Sequence, residues 1–560
     1  MTAGPGPDPF DPAEARPASD QLTSGDVAGL SPYGVEQEVR VGDTVFRPGD
    51  PSYDLVVIIT GQVQLFSPAS RGDPEVLVAA YGPGGFLGEL SLLTGQSVSL
   101  TARVHEAGRI LRISPAQFRR LMAESPEISD VMVRTFLARR DLLRLGSAAR
   151  LLEIIGHASS SQALALRTFV ARRRLPHVWL DADSLAGRAL MHSTGLGAHD
   201  LPAVLSPDRV LRRATPTGLA EMVGLAQRPV QGAVADLVVV GAGPAGLAAA
   251  VYGASEGLDT VLLDAVGPGG QAAASSRIEN YLGFPSGISG AELTQRAVLQ
   301  ALKFGAGLLS PCRAVELDTS ATQLEVVLDD GSRVPTRAVV IATGVRYRGL
   351  PLPRWTEFEG AGIYYAATAL EAQSQQQRPV VVVGGANSAG QAALYLASLG
   401  SPVSLVVRAD TLSRGMSSYL TERVLADRRV RVLTSTEVTG LDGGADLSEV
   451  TVTSRATNVV TREPCHGLFC FIGADPATGW KHHLALDGRG FVQTDTELDD
   501  SQDDSVWKAL NRAPLPFETS SPGVFAVGDV RAGSIKRVAS AAGEGASVVR
   551  SVHTVVGQPV

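Results

Sequence analysis

Residues Leu237–Asp264, LVVVGAGPAGLAAAVYGASEGLDTVLLD, organise the longest part of this chain. An apolar run ends at the glycine-rich sequence GAGPAG, which begins at Gly241 and is followed by an alanine-rich helical pattern. A second apolar run then ends at an acid, Asp264. The order strand, glycine turn, helix, strand and acid predicts a βαβ unit that binds a dinucleotide.

Each glycine of this turn has a separate expected role. Gly241 allows the sharp turn, Gly243 lets the backbone approach a pyrophosphate, and Gly246 lets the helix pack closely on the strand. The phosphates are expected at the helix N-terminus, where unpaired N–H groups point outward. Asp264 follows about 20 residues later, where a carboxylate accepts hydrogen bonds from a ribose 2′-OH.

Composition excludes several classes of protein. The chain has 560 residues, enough for several domains, and a formal net charge of -8, which argues against a nucleic-acid surface. No window holds about 18 uncharged apolar residues and no signal peptide opens the chain, so we expect no membrane span and a cytoplasmic protein. The cysteines Cys312, Cys465 and Cys470 form no disulfide framework and no metal-ligand cluster, and they are predicted to be buried thiols. Cys465 and Cys470 lie five residues apart in a strand-like segment, so they are expected on its opposite faces.

The N-terminal part changes character near residue 29. Residues 1–28 are rich in Pro, Ala, Gly and Asp, with too few large apolar side chains to offset the entropy of ordering, which predicts a disordered tail. Residues 29–146 contain short apolar runs with glycine corners, such as DLVVIITGQVQLF. This pattern predicts a β-roll or barrel, and the helix-like segment after Ser114 is expected to cap it.

The β-roll resembles the cyclic-nucleotide-binding fold. The residues that carry the resemblance are Gly42-Asp43, Phe46, Gly49-Asp50, Gly61 and Gly88-Glu89-Leu90. In that family the acid at Glu89 binds the ribose, and an Arg about nine residues later pairs with the cyclic phosphate. Val98 stands at that place, and the nearest arginine is Arg103. A charge-assisted hydrogen bond contributes about 1.5–3 kcal/mol, so we expect weak or no binding of a cyclic nucleotide and favour a docking or spacer domain.

Residues 147–226 alternate strands and helices. Strands are predicted at Leu151–Ile155, Val178–Asp181 and Leu201–Leu205, with helices at Ser161–Arg173, after the second strand and near Thr217. This order resembles a thioredoxin or glutaredoxin-like module. The sequence after the first strand, GHASS, has no cysteine, and thiol exchange needs a thiolate. We therefore expect a degenerate module that binds a partner, with His157 as a surface loop residue.

After a linker at 227–233, residues 234–348 and 464–560 resemble the flavin-binding half of the thioredoxin reductase family. The resemblance rests on Pro268-Gly269-Gly270-Gln271, Glu279-Asn280-Tyr281-Leu282-Gly283-Phe284-Pro285, Ala342-Thr343-Gly344 and Gly528-Asp529. It implies FAD as cofactor. Gly270, Gln271 and Asn280 are expected around the flavin and adenine nucleotide, with Thr343 and Gly344 as further site residues. The Gly528-Asp529 pair is expected to hold the ribityl chain and pyrophosphate.

A second nucleotide fold at 349–463 is inserted within the first. Val380–Val383 runs into a glycine turn and a helical pattern, and the next strand ends in Arg408 instead of an acid. An Arg there suits a 2′-phosphate, so NADPH is favoured over NADH, with Arg414 as a second candidate. The predicted nucleotide-binding residues are Gly384, Gly385, Asn387, Ser388, Ala389, Arg408 and Arg414.

The chain departs from the family at its redox cysteines. Members carry Cys-Ala-Thr-Cys followed by an acid, and the equivalent run here is Ala366-Ala367-Thr368-Ala369-Leu370. Ala366 and Ala369 stand at the two cysteine positions, and their methyl groups are expected to leave room for an outside acceptor, with Tyr364 and Tyr365 as its walls. Flavin reduction by NADPH remains possible, whereas the dithiol relay to a protein disulfide is absent.

The sequence thus predicts a multidomain α/β protein with two Rossmann-like domains, for FAD and NAD(P)H, preceded by a β-roll and a degenerate thioredoxin-like domain. The leading function is a flavin oxidoreductase that passes electrons to a small redox protein or small-molecule acceptor. The alternatives are a nucleotide- and redox-sensing regulator and a scaffold with silent sites. We expect a homodimer, with no nucleic-acid, membrane or metal partner.

Overall fold

The computed structural model describes residues 21–557. The gaps in this range are 49, 51–53, 68–74, 89–91, 93–97, 99, 146–151, 158–159, 174, 207–208, 226–233, 276–277, 279, 320–322, 368, 445, 481–482 and 499–504. The described residues form two compact units. No helix among them is long and apolar enough to span a bilayer.

Within these ranges the α-helices are α1 (Ser24–Leu30), α2 (Pro115–Glu124), α3 (Pro126–Leu145), α4 (Ser161–Arg173), α5 (Leu185–Thr194), α6 (Pro216–Met222), α7 (Pro244–Ser255), α8 (Gly290–Lys303), α9 (Trp355–Phe358), α10 (Ala369–Ser374), α11 (Asn387–Ser398), α12 (Ser418–Ala426), α13 (Ser505–Leu510) and α14 (Val538–Val556). The strands are β1 (Val35–Val39), β2 (Thr44–Phe46), β3 (Leu55–Ser67), β4 (Val76–Tyr81), β5 (Phe86–Leu87), β6 (Thr101–Ile113), β7 (Glu153–Gly156), β8 (Val178–Asp181), β9 (Ala203–Leu205), β10 (Val210–Leu211), β11 (Ala235–Val240), β12 (Thr260–Leu263), β13 (Gly307–Leu309), β14 (Ala314–Asp318), β15 (Leu324–Leu328), β16 (Arg333–Ile341), β17 (Val345–Tyr347), β18 (Ile363–Tyr364), β19 (Val380–Val383), β20 (Val403–Val406), β21 (Val430–Leu433), β22 (Thr436–Gly443), β23 (Leu447–Ser454), β24 (Val460–Pro464), β25 (Gly467–Cys470), β26 (Ala474–Pro476) and β27 (Val524–Ala526).

The first sheet is the predicted β-roll. Its antiparallel strands run in the order β1-β6-β3-β4, with β2 on β6 and β5 on β3. The helices α2 and α3 follow β6, and Phe118 and Phe136 form an edge-on aromatic contact with ring centroids 6.1 Å apart. Phe136 also meets Phe86 of β5 at 5.8 Å, so α3 packs on the sheet. The expected helical cap of the roll is confirmed.

Helix α1 lies at the start of the described chain. Thr23 and Asp26 form a reciprocal capping box, with Thr23 Oγ1 accepting from the Asp26 N–H at 3.1 Å and Asp26 Oδ2 accepting from the Thr23 N–H at 2.8 Å. Leu22 and Leu30 are buried. Ordered structure therefore begins before residue 29, where the sequence interpretation ended its tail, because two leucines and a local cap suffice to anchor the segment. Residues 1–20 of that predicted tail lie outside the described part.

The second sheet has the order β10-β9-β7-β8. Strands β7 and β8 are parallel, and β9 runs antiparallel to β7. The bounds of α4 and β8 agree with the sequence prediction, whereas the first strand is shifted to Glu153–Gly156 and the third is shortened to Ala203–Leu205. His157 follows β7, and its Nδ1 lies 3.1 Å from Asp183 Oδ2 at the surface. The likeness to thioredoxin stays a prediction.

The third sheet contains the opening βαβ unit. Strands β12, β11, β16 and β27 are parallel neighbours in that order, and β15 and β14 continue the sheet in antiparallel fashion beyond β16. Leu237, Val238 and Val239 of β11 are fully buried, as expected of a parallel strand with both faces covered. Helix α7 starts with Pro244, whose ring fits the first helical position, and buries small and apolar residues along its length.

The fourth sheet is the inserted nucleotide fold. Its strands are parallel and ordered β18-β25-β19-β20-β21, and an antiparallel sheet β22-β23-β24 accompanies it. Strand β25 was expected to belong to the flavin domain, which was predicted to resume at residue 464. It instead pairs with β19 and is buried throughout, so the inserted domain extends to Cys470.

The chain passes from the flavin domain into the inserted domain at β17 and returns at β26. These two connections, called the crossings below, lie side by side. Strands β17 and β26 pair in antiparallel fashion, with Tyr347 opposite Ala474. The Arg348 N–H donates to the Gly473 carbonyl at 3.0 Å, and the Arg348 guanidinium lies 2.6 Å from Asp475 Oδ1. The chain therefore enters and leaves the inserted domain at one place.

Candidate functional site

Two glycines of the first turn are required by close backbone contacts. Gly241 has φ +106°, and a Cβ there would lie 2.4 Å from the Ala342 carbonyl oxygen. A Cβ at Gly246 would lie 1.8 Å from the Gly241 carbonyl oxygen. Only glycine fits either position, which agrees with the turn and helix-packing roles predicted from the sequence.

Gly243 is different, because a Cβ there would make only an ordinary van der Waals contact. Its φ of -76° is ordinary, and a Cβ there would meet only the Gly270 Cα, at 3.9 Å. Gly243 is the N-cap of α7 and has no side chain to bond the first N–H groups of the helix. Gly270, at φ +54°, approaches so closely that its own Cβ would lie 2.8 Å from Gly243 Cα. Two bare backbone segments thus face each other at a helix N-terminus, which fits a pyrophosphate.

Asp264 already has backbone partners. Oδ2 accepts from the Ala242 N–H at 2.9 Å, and Oδ1 accepts from the N–H groups of Val266 at 3.0 Å and Gly267 at 2.7 Å. A carboxylate has about four acceptor sites, so one remains for a ribose hydroxyl. The sequence predicted the ribose contact but missed this second role, which holds the glycine turn and the loop after β12 together.

Three other predicted residues lie at the crossings to the inserted domain. Gln271 Nε2 donates to the Val345 carbonyl, and Thr343 Oγ1 donates to the Ala477 carbonyl at 3.0 Å. The Gly344 carbonyl accepts from the Ala477 N–H at 2.9 Å. Asn280 is exposed, and no described residue bonds its side chain. Asn280 therefore makes no hydrogen bond to the other predicted residues among those that the structure describes.

Gly528 is held by Glu544, a residue that the sequence interpretation missed. The Gly528 N–H donates to Glu544 Oε2 at 2.6 Å, and Glu544 Oε1 lies 2.8 Å from the Arg531 guanidinium. Both side chains of this ion pair are mostly buried, at 14% and 16% exposure, so the acceptor position is fixed. The sequence signal is the Gly-Glu-Gly triplet that starts at Gly543 in α14.

The Asp529 carboxyl group lies beside this contact and is largely withdrawn from water. Desolvation raises its pKa, Lys536 opposes the shift, and Glu544 adds to it. Lys536 Nζ donates to the Asp529 main-chain carbonyl and to Ser534 Oγ, each at 2.6 Å. No described residue donates to the Asp529 carboxylate, so its oxygens are available to hydroxyl donors. These acceptor oxygens fit the hydroxyl groups of the ribityl chain of FAD.

The second glycine turn is built like the first. Gly384 has φ +144°, and a Cβ there would lie 2.5 Å from the Phe471 carbonyl oxygen. Ala386, at the place of the middle glycine, is the N-cap of α11. Asn387 Oδ1 accepts from the Ser417 N–H at 2.8 Å, Ser388 is exposed and Ala389 is buried.

The two predicted 2′-phosphate ligands differ in their surroundings. Arg408 is exposed after β20, and no described side chain pairs with it. Arg414 is also exposed, but its Nε lies 3.2 Å from Asp410 Oδ1. Arg408 is therefore the stronger candidate, because the charge of Arg414 is shared with a carboxylate.

The alanine segment follows β18. Ala366 and Ala367 are partly buried, whereas Thr368 and the side chains of Ala369 and Leu370 lie outside the described parts. The sequence interpretation offered Tyr364 and Tyr365 as walls of an acceptor site. Tyr364 is instead a core residue at 8% exposure, with its ring 5.2 Å from Phe469 and its hydroxyl bonded to Gln375, whereas Tyr365 is partly exposed.

All three cysteines of the chain lie outside this segment. Cys465 and Cys470 are fully buried in one core cluster, instead of on opposite faces as predicted, because β24 ends at Pro464 and β25 starts anew at Gly467. Burial raises the pKa of each to about 12. Burial, with the charges of three neighbouring aspartates, also raises the pKa of Cys312 to about 12.

The β-roll lacks a free arginine at the expected place. Glu89 lies outside the described residues, and Val98 is a buried core residue. Arg103, the nearest substitute for the missing phosphate ligand, lies 3.3 Å from Glu75 Oε2 and stacks over the Phe66 ring at 5.1 Å. Its guanidinium therefore already has an anionic partner.

Comparison with known proteins agrees with this architecture. Residues 235–545, more than half of the chain, match the family described as pyridine nucleotide-disulphide oxidoreductase, and residues 36–125 match the cyclic nucleotide-binding domain. A thioredoxin reductase from Treponema pallidum is 32% identical over 314 residues, which are 56% of this chain and 94% of that protein. One from Streptomyces coelicolor is 32% identical over 317 residues, which are 56% of this chain and 91% of that protein.

Solved structures give the same result. The crystal structure of Lactococcus lactis thioredoxin reductase aligns with a TM-score of 0.51 at 26% identity, covering 58% of this chain and 99% of that chain. The thioredoxin reductase of T. acidophilum aligns with a TM-score of 0.50 at 26% identity, covering 57% of this chain and 98% of that one. The chain is therefore a thioredoxin reductase-like member of the pyridine nucleotide-disulphide oxidoreductase family that carries an N-terminal cyclic nucleotide-binding domain.

Proposed function

We propose that this protein is an FAD-dependent NADPH oxidoreductase that passes electrons from the flavin directly to an external acceptor. The family membership supports the oxidoreductase part. The more specific part, direct electron transfer to an external acceptor, rests on the positions of the cysteines. The segment from Tyr365 to Leu370 contains no cysteine, and the chain's three cysteines lie elsewhere with raised pKa values.

The residues that would hold FAD come from both ends of the flavin domain. Gly243 and Gly270 would border the pyrophosphate, Asp264 would accept from a ribose hydroxyl at its one free acceptor site, and the Asp529 carboxylate would accept from the ribityl hydroxyls. Bound there, FAD supplies two-electron redox chemistry. The helix α11 N-terminus and Arg408 would hold the phosphates of NADPH.

The alanine segment determines which acceptors are served. Reduction of a protein disulfide proceeds by attack of a thiolate and a mixed disulfide, and alanine offers no nucleophile. The acceptor must therefore take electrons without a covalent intermediate on the protein.

A regulatory flavoprotein with little turnover is the second candidate. The match of residues 36–125 to a cyclic nucleotide-binding domain favours it, because a second ligand domain on the same chain lets the protein respond to a ligand other than NADPH. Under this alternative NADPH occupancy or flavin reduction changes a partner interaction. Steady-state turnover with external acceptors distinguishes the two candidates.

The test of the leading proposal is a stopped-flow experiment on FAD-loaded protein. We expect NADPH to bleach the flavin absorbance while thioredoxin, supplied with NADPH and the protein, stays oxidised. A triple variant, Ala366→Cys with Ala369→Cys and Leu370→Asp, restores the two thiols and the acid. We expect this variant to gain thioredoxin reduction. Thioredoxin reduction by the unmodified protein that survives alkylation of Cys312, Cys465 and Cys470 would contradict the proposal.

A further inference from the structure

Two tyrosines meet where the flavin domain crosses into the inserted domain. Tyr347 ends β17, directly before the crossing, and Tyr365 directly precedes Ala366. Their rings are nearly parallel, at 9°, with centroids 6.2 Å apart. This spacing with parallel planes indicates an offset pair, in which each ring leaves part of its face uncovered by the other.

A hydrogen-bond network fixes the ring of Tyr365. Trp355 Nε1 donates to the Tyr365 hydroxyl at 2.8 Å, and that hydroxyl donates to Glu359 Oε1. Gly349 leaves no room for a side chain here, because a Cβ would lie 2.5 Å from Trp355 Nε1 and 3.1 Å from the Tyr365 hydroxyl. The Tyr365 hydroxyl is therefore committed to the protein, and its ring is held in one orientation as a platform.

The Tyr347 hydroxyl is in the opposite situation. No described residue accepts a hydrogen bond from it, although the side chain is largely desolvated. Burial, with the nearby charge of Asp529, raises its pKa to about 12, so the phenol keeps its proton at physiological pH. Tyr347 therefore offers an unused O–H donor close to the carboxylate that we assign to the flavin site.

Resting on the proposed function, we propose that Tyr347 and Tyr365 form the acceptor site and that the acceptor is a planar quinone. A conjugated ring can stack on the uncovered faces, and a quinone oxygen can accept the Tyr347 hydrogen bond. The methyl group of Ala366 leaves this side of the segment small and without a nucleophile. A disulfide has neither a ring to stack nor an oxygen to accept this bond.

The reaction balances without a further reactant. NADPH gives up a hydride, which carries two electrons and one proton, and becomes NADP⁺. The quinone takes two electrons and two protons and becomes the hydroquinone, with solvent supplying the second proton. Negative charge develops on the quinone oxygens during reduction, and a protonated phenol that donates to one of them stabilises this charge. Tyr347 is thus assigned as a catalytic donor and Tyr365 as a binding platform.

The test compares a planar and a non-planar acceptor, menadione and ferricyanide, in steady-state assays with NADPH. Tyr365→Leu removes the platform, and we expect the KM for menadione to rise about tenfold. Tyr347→Phe keeps the ring and removes the donor, and we expect kcat for menadione to fall about tenfold with KM little changed. Ferricyanide rates should change less than twofold in both variants. Tyr419→Leu, at an exposed tyrosine of α12, is the matched control and should leave KM and kcat unchanged for both acceptors.

Binding is measured separately, by saturation-transfer NMR of menadione with the oxidised protein without NADPH. Tyr365→Leu should lose the signal, and Tyr347→Phe should retain it. If Tyr365→Leu fails to retain FAD, the nearly isosteric Tyr347→Phe still decides the proposal.

Equal losses with menadione and ferricyanide, or unchanged menadione kinetics, overturn the acceptor site and leave the proposed function standing. A wild-type protein whose flavin is reduced by NADPH but which passes electrons to neither acceptor overturns the proposed function itself.

Discussion

Gly545 of α14 lies so close to Ala245 of α7 that a Cβ at Gly545 would come within 2.0 Å of the Ala245 carbonyl oxygen. Ala245 belongs to the glycine turn of the first βαβ unit, and Gly545 directly follows Glu544, which binds the Gly528 N–H. The two ends of the flavin domain are therefore joined at the proposed FAD site through a glycine contact.

The first prediction concerns this contact. Gly545→Ala forces α14 away from α7 and should lower the free energy of unfolding by about 1–3 kcal/mol, as overpacked sites do, and reduce the FAD content of the purified protein. Gly543→Ala is the control on the same helix, because a Cβ there meets nothing within 4 Å. The measurements are thermal unfolding and flavin absorbance. Equal effects of the two substitutions would show that the close contact is not responsible.

The second prediction separates cofactor binding from folding. Gly243→Val should fold with a melting temperature close to that of the wild-type apoprotein, since a Cβ there makes only an ordinary contact. It should bind FAD at least about tenfold more weakly, because the side chain would fill the pyrophosphate space. Gly246→Ala should instead destabilise the fold, because its Cβ meets a backbone oxygen at 1.8 Å. Fluorescence titration of each apoprotein with FAD measures the affinity, and the melting temperature measures the stability of the fold. A Gly243→Val protein with full flavin content would contradict the assignment of Gly243 to the pyrophosphate site.

The third prediction concerns the nicotinamide nucleotide. NADPH should reduce the flavin faster than NADH at equal concentration. Arg408→Ala should lower the NADPH to NADH ratio of kcat/KM by about tenfold or more, which is the value of one charge-assisted hydrogen bond. Arg414→Ala should have a smaller effect because Asp410 already pairs with Arg414. Equal losses for the two nucleotides in Arg408→Ala would mean that Arg408 does not read the 2′-phosphate.

The fourth prediction concerns the β-roll. Cyclic AMP and cyclic GMP should bind weakly or not at all, because Val98 cannot pair with a phosphate and Arg103 is engaged by Glu75. Isothermal titration calorimetry of the full chain is the measurement, and Arg103→Ala is the control. A sub-micromolar dissociation constant that Arg103→Ala abolishes would show that Arg103 exchanges Glu75 for the ligand.

The fifth prediction is the pH dependence of the thiols. With its pKa at about 12, Cys312 is almost entirely protonated near pH 8, and its alkylation by iodoacetamide should rise about tenfold per pH unit up to about pH 11. Unfolding in urea returns the thiol pKa to about 8.5 and should accelerate alkylation near pH 8. Above about pH 8.5 the unfolded chain loses thiol protons that the folded chain keeps, so this contribution to stability falls as pH rises. Mass spectrometry of labelled peptides measures the rates, and rapid labelling of native Cys312 near pH 8 would contradict the shift.

The sequence predicted the local parts of the site better than the parts assembled from distant segments. Gly241 and Gly246 could be interpreted from spacing alone, because strand, turn and helix are consecutive and each glycine has one steric reason. Glu544 was missed because its partner Gly528 is reached only when α14 returns to the turn after β27. Strand β25 was assigned to the wrong domain because an apolar run specifies a buried strand without specifying its neighbours in the sheet.

Tyrosines 364 and 365 show the same limit on a smaller scale. Tyr364 ends β18 and Tyr365 lies directly after it, and the sequence pattern did not show which of the two rings is buried. The structure places Tyr364 in the core and leaves Tyr365 beside Tyr347, which no sequence feature connected with it. The proposed acceptor site therefore depends on tertiary structure.

The paired crossings at β17 and β26 make the inserted domain a cassette. Its first and last backbone groups, at Arg348 and Gly473, are one hydrogen bond apart, so a short turn would join β17 to β26 if the whole insert were removed. A single recombination event at these two junctions could exchange one nucleotide-binding domain for another without disturbing the flavin fold. Nucleotide preference and flavin chemistry can therefore evolve independently in a chain of this design.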